Sequence, residues 1–194
     1  MLDFISAHFP AIAAIVLISY IYLLYTSLIK RRNEAHEALS SIDVQLKQRF
    51  DLLPNILTIA KKFMEHEKTL LTEITELRSE ATKIYDFKNN ADVASHIKSS
   101  QELGNKMAQL MVAVENYPQL KSDQTMITTI QTYNETEAQI SAARRFYNSA
   151  VTNLNNLVQI FPSNLIAKLI NISALPFFKA EEAAQNPVEA KNFL

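Results

Sequence analysis

The chain has 194 residues, 48% of them hydrophobic, and a formal net charge of -1, which allows one domain with a packed core plus a small appendage and argues against disorder throughout. Near-neutrality gives no reason to expect a nucleic-acid surface, which needs a clustered excess of Lys and Arg. The absence of Cys excludes disulfides, zinc-thiolate sites and thiol nucleophiles. A single glycine, Gly104, and 6 prolines leave little for β-turns or phosphate-cradling loops, while Leu, Ala, Glu, Gln, Lys and Ile are plentiful, so the chain reads as all-α.

Residues 1–10 form a short leader and 11–29 a transmembrane helix. Apart from His8, no ionisable side chain except tyrosine lies between Phe4 and Ile29, and about twenty helical residues suffice to cross the hydrocarbon core. The expected anchor residues are Ala11, Ile15, Ile18, Tyr20, Tyr22, Tyr25 and Leu28, with the tyrosines toward one end, where phenols favour the headgroup layer. A cleaved signal peptide would carry Lys or Arg before the apolar run. Here the basic cluster, Lys30, Arg31 and Arg32, follows it, so the helix is expected to stay attached with its N-terminus outside and its C-terminal side in the cytoplasm.

Residues 33–162 should form a helical bundle. Leu39, Ile42, Leu46, Leu53, Ile56, Ala60, Phe63, Leu70, Ile74, Leu77, Ala81 and Ile84 alternate spacings of three and four, interrupted at Arg49 and Glu67; this is a helical packing stripe. A second stripe runs from Leu103 to Val114, and a third from Ile130 to Phe161, interrupted at Glu137 and Arg144. Breaks fall at Lys88 to Ala91, at Tyr117-Pro118 and at Phe161-Pro162-Ser163-Asn164, where Ser163 or Asn164 could cap a last helix. Pro54 is ambiguous: as a kink it leaves three long helices, as a turn it gives four antiparallel ones. An amphipathic segment over 163–179 either rests on the membrane interface or closes the core, and 180–194 reads as a flexible tail.

The run Ile42-Asp43-Val44-Gln45-Leu46-Lys47-Gln48-Arg49-Phe50-Asp51-Leu52-Leu53-Pro54-Asn55, His66-Glu67-Lys68, Arg145-Phe146-Tyr147-Asn148, Phe161-Pro162-Ser163-Asn164 and Pro176-Phe177-Phe178 together resemble the LemA family over almost the whole chain. That resemblance implies a bacterial inner-membrane protein with an up-and-down four-helix bundle, which favours a turn at Pro54. It supplies no reaction. The closing segment from Pro187 is looser than the family's usual ending.

A di-metal carboxylate bundle needs Glu-x-x-His pairs on one helix face. Asn33, Phe63 and Val93 stand three residues before His36, His66 and His96, so no cofactor, metal or catalytic residue is expected, and no small-molecule substrate is evident. Arg49, Glu67, Glu137 and Arg144 either pair across helices and fix register or lie at stripe edges. Asn55, Asn148 and Asn155 are expected in helix–helix hydrogen bonds, or lining a partner groove. Asp51, Pro54, Phe161, Pro162 and Asn164 complete the set of structural candidates. The expected function is a non-enzymatic membrane-tethered scaffold or adaptor, its partners the lipid bilayer and a membrane-associated protein or further copies of itself. The rival is lipid sensing or membrane remodelling through the C-terminal amphipathic segment.

Overall fold

The computed structural model describes residues 2–178, with side chains from His8 onward; the expectations for Met1, Lys179 and the tail 180–194 lie outside the described residues. It is all-α, with no strand among the described residues. Helix α1 spans Leu2–Phe63, a 3-10 turn Glu65–Glu67, α2 Lys68–Ala81, α3 Asn90–Val114, α4 Pro118–Lys121, α5 Gln124–Gln159 and α6 Ser163–Leu169. Helix α1 packs along α5 and α2 packs along α3. Cross-links join these two layers: Arg78 on α2 reaches the Phe50 carbonyl, and Arg49 on α1 reaches the Ser100 carbonyl on α3.

The first expected stripe is the spine of the core. Leu39, Ile42, Leu46, Leu53, Ile56 and Ala60 are all buried on one face of α1, where positions three and four apart line up. Facing them, Tyr133, Ile140, Tyr147, Val151 and Leu154 line α5.

Three expectations need correction. Pro54 does not make the turn that the resemblance implied; it lies inside α1, as the rival reading of one continuous helix had it. A proline in a helix removes the donor to the carbonyl four residues earlier, here Phe50, and Arg78 Nε donates to that oxygen at 3.0 Å. The neighbouring helix thus supplies the missing bond. The first break comes at Met64, which is buried and leaves the helical region at φ -107 and ψ 69. Lys61 and Lys62 close α1, and Glu65 and Glu67 precede α2, the charge order that suits a helix C-terminus followed by an N-terminus. Finally, neither Ser163 nor Asn164 caps α6. Pro162 occupies that position without a side-chain bond, and the Ser163 hydroxyl donates back to the Ile160 carbonyl at 2.9 Å.

The expected breaks at Lys88–Ala91 and Tyr117-Pro118 are present. The Asn89 side chain caps α3 by accepting from Ala91 N at 3.0 Å, and Asp123 caps α5 by accepting from Met126 N at 2.9 Å. Pro118 sits at the first position of α4, where its missing N–H costs nothing.

Helix lengths set the shape. Helix α5 has 36 residues and α2 only 14, or roughly 54 and 21 Å of rise, so α2 stops well short of the end of the bundle nearest Leu28. Residues 172–178 return along α5 and fill that gap. Asn171 makes the return possible: its φ of 53 is left-handed, and the Ile172 N–H donates to the Ala167 carbonyl at 2.9 Å, closing the end of α6.

Candidate functional site

Arg49 is the centre of the bundle. Its side chain is 0% exposed; Nη1 donates to Glu137 at 2.9 Å and Nη2 to the Ser100 carbonyl at 3.0 Å. The carboxylate of Glu137, 29% exposed, is also beside Tyr133. Burial, then this neighbouring negative charge, pushes the Tyr133 phenol above its ordinary range. Gly104 is the chain's single glycine, and a Cβ there would meet Arg49 Nη1 at 3.4 Å, so the guanidinium occupies space that a larger side chain would need. One buried cation thereby ties α1, α3 and α5 in a single register, and wrong registers would leave that charge without an acceptor.

The other interrupting charges behave differently. Arg144 lies with its guanidinium 5.4 Å from the Phe178 ring centre, a cation–π arrangement. Glu67 lies in the 3-10 turn at the far end of the bundle. Asp51 is exposed and pairs with Lys47 at 3.2 Å along the same helix, an arrangement that contributes little. Asn55 is exposed on α1 and does not join a helix–helix bond.

Asn148 and Asn155 bond the returning segment rather than another helix. The Asn155 amide donates to the Leu175 carbonyl at 3.0 Å and its oxygen accepts from Leu175 N at 2.9 Å; Asn148 does the same with Phe178 at 2.8 and 3.0 Å. A carboxamide presents the same donor and acceptor as a peptide unit, so each Asn holds the irregular returning segment by its backbone N–H and C=O. The Tyr147 hydroxyl adds a bond to the Pro176 carbonyl at 2.9 Å, and its ring meets Phe178 edge-on. Ile172, Leu175 and Phe178 are consequently buried. Of the two readings of the C-terminal amphipathic segment, closing the core describes Ile172, Leu175 and Phe178, while Phe177 stays exposed.

A further polar cluster escaped the sequence analysis. Asp43 on α1 receives the Tyr85 hydroxyl at 2.6 Å and contacts His96 Nε2 at 2.9 Å, while the Tyr85 and His96 rings stack at 4.2 Å. Burial and the adjacent Asp43 raise the Tyr85 phenol above its ordinary range. His36 stacks on Phe87 at 3.9 Å, so two rings clamp the α2–α3 loop to α1. The signal lay in the second stripe, which continues back from Leu103 through Ser100, Ile97 and Val93 and places His96 at its edge.

In the apolar part of α1, Ala11, Ile15, Ile18, Tyr20, Tyr22 and Tyr25 are exposed, whereas Leu28 is wholly buried against protein. The helix is long and apolar enough to cross a membrane, with only 6% of its most apolar stretch buried. Lys30 is exposed, and Arg31 pairs with Glu34 at 2.8 Å. At the opposite end, Met111 and Val114 of α3 and Ile127, Ile130 and Ala138 of α5 line an open groove of about 710 Å³, edged by Glu115, Lys121 and Glu135.

Fold and geometry define a helical bundle built directly onto an apolar helix. Residues 38–191 match the LemA family, and the chain belongs to that family. It is 24% identical to Protein LemA of Metamycoplasma hominis over 179 residues, covering 90% of this chain and 80% of that protein. It is also 28% identical over 85 residues to Magnetosome proteins MamQ 1 and MamQ 2 of Paramagnetospirillum magneticum, a match covering 44% of this chain and 31% of each of those proteins.

Proposed function

We propose that the protein is a membrane-tethered adaptor: residues 11–29 cross the bacterial inner membrane with the N-terminus outside, and the bundle presents a helical surface to a membrane-associated protein in the cytoplasm. The observation that supports it is the continuity of α1, which runs from Leu2 to Phe63 without a break and is lipid-ready at one end and core at the other. A helix that is one rod through both regions holds the bundle at a set angle and height, as presentation of a docking surface requires. Lys30, Arg31 and Arg32 against a leader without Lys or Arg support the orientation.

The groove between α3 and α5 suits the apolar face of a partner's amphipathic helix, with Ile127 and Ile130 as floor and charges of both signs at the rim. Photocrosslinking from Ile127 in native membranes tests this. The reading expects a discrete protein adduct that disappears when Ile130→Glu is added, while Val112, exposed outside that lining, gives none. Identical adducts from both positions, insensitive to Ile130→Glu, would refute it.

A further inference from the structure

The antiparallel register of α1 and α5 fixes where the far end of the bundle lies. Arg49 bonds Glu137, and α5 ends at Gln159, 159 − 137 = 22 residues later. Counting 22 residues back along α1 from Arg49 gives 49 − 22 = 27, so Gln159 arrives level with Ser27. Helix α6 packs against both α1 and α5, and Leu28, alone among the expected anchor residues, is buried. Helix α6 therefore sits at the inner end of the apolar span, level with Lys30, Arg31 and Arg32.

At that level the surface is apolar without need of the core. Ser163 and Ala167 face the bundle and are buried, whereas Leu165 and Leu169, also four apart, face away at 53% and 83% exposure. Phe161, 74% exposed, and Ile160 extend the same patch through the α5–α6 turn. From Ala138 to Phe178 there is not one Asp or Glu, while Lys168 lies on α6. On α1 the level carries Lys30, Arg31 and Arg32 with one carboxylate, Glu34, neutralising Arg31; an exposed apolar patch whose own segment has no carboxylate, beside that basic cluster, matches the chemistry of an anionic lipid interface, where aromatic and aliphatic side chains enter the acyl boundary and Lys and Arg stay among the headgroups.

We infer that Ile160, Phe161, Leu165 and Leu169 form a second contact with the bilayer, seated in the headgroup layer beside the anchor, and that the occupant of this patch is anionic lipid. The inference rests on the membrane tether proposed above. It goes further by giving the bundle two points of attachment, which fixes its rotation about the α1 axis and so the direction in which the α3–α5 groove opens. In the returning segment 172–178, Ile172, Leu175 and Phe178 are consumed by the core and only Phe177, 46% exposed, is left as a large apolar side chain at the surface.

The chain has no Trp, so single tryptophans report position without background. Full-length Tyr20→Trp, Phe161→Trp, Leu169→Trp and Phe146→Trp, all at exposed sites, would be reconstituted in phosphatidylcholine vesicles with and without phosphatidylglycerol. Quenching by acyl-chain-brominated lipid is then read. The inference expects strong quenching of Tyr20→Trp in both, quenching and blue-shifted emission of Phe161→Trp and Leu169→Trp that deepen with phosphatidylglycerol, and none for Phe146→Trp. If Tyr20→Trp is quenched while Phe161→Trp and Leu169→Trp are not, the tether stands and the second contact is refuted, the patch being left to a protein. If Tyr20→Trp is unquenched, both fall. Quenching of Phe146→Trp along with the others would mean a bundle lying flat and would also overturn the inference.

Discussion

Removing Glu137 should damage the protein more than removing Arg49, although the two form one ion pair. In Glu137→Leu a guanidinium with 0% exposure keeps only the Ser100 carbonyl as acceptor, and an uncompensated buried charge of that kind costs about 3–5 kcal/mol. Arg49→Met removes the charge together with its desolvation and leaves Glu137, which is 29% exposed, able to recover water; a cost of about 1 kcal/mol is expected, chiefly from packing. The double variant has neither charge and should melt close to Arg49→Met. For a protein of this size each kcal/mol shifts the midpoint by roughly 2–4 °C, so Glu137→Leu should melt on the order of 10 °C below the parent, with the other two near it. Circular dichroism of the full chain in detergent measures all four proteins. Equal losses for the two single variants, or losses that add in the double, would refute the assignment of Arg49 as a buried charge held by Glu137.

Pro54→Ala should stabilise the bundle by about 1–3 kcal/mol, since the proline costs about 3 in a helix interior and Arg78 recovers only part. Arg78→Met should then cost less in the Pro54→Ala background than in the parent, which a double-mutant cycle in urea would read. Asn155→Ala removes two buried hydrogen bonds to Leu175 and should cost about 2–3 kcal/mol, with amide exchange rising first at Leu175 and Phe178. Tyr133 and Tyr147 are buried, and burial holds both phenols above the ordinary value of 10.0. Above that value the folded chain keeps protons that the unfolded chain has lost, so stability is full below about pH 10 and falls with rising pH by about 1.4 kcal/mol per unit for each tyrosine until the folded phenols ionise. Tyr85, raised by burial and by Asp43, is a third such phenol, so urea midpoints between about pH 8 and pH 11 should show this fall, with about two-thirds of the slope remaining in Tyr133→Phe.

Much of the fold could be read from apolar spacing. The α1 stripe, the breaks around Asn89 and Pro118, and the long last helix all follow from periodicity and capping residues. What spacing could not show was which neighbour repairs a local defect. Pro54 was ambiguous between a kink and a turn because its missing donor is visible in sequence while the compensating Arg78 stands well downstream, on another helix; the turn was favoured by the LemA resemblance. The turn at Met64 had no Pro or Gly to mark it, only the change from Lys61-Lys62 to Glu65 and Glu67. Asn148 and Asn155 stood out as polar residues on an apolar flank, but their partner is an irregular segment with no periodicity of its own. Arg49 and Glu137 were visible as interruptions of two stripes, because a charge in a core position needs a partner; Asp43, Tyr85 and His96 were not, since each lies at a stripe edge where polar residues are ordinary.

A bundle held at the inner face of a membrane by an uninterrupted helix is the central claim, and sidedness tests it most directly. The chain contains no Cys, so single substitutions can be labelled without background. His8→Cys and Phe146→Cys would each be expressed full length and exposed in intact cells to a membrane-impermeant maleimide, then again after permeabilisation. An inward-facing bundle predicts that His8→Cys is labelled in intact cells and Phe146→Cys only once the membrane is opened. Labelling of Phe146→Cys in intact cells, with His8→Cys protected, would contradict it.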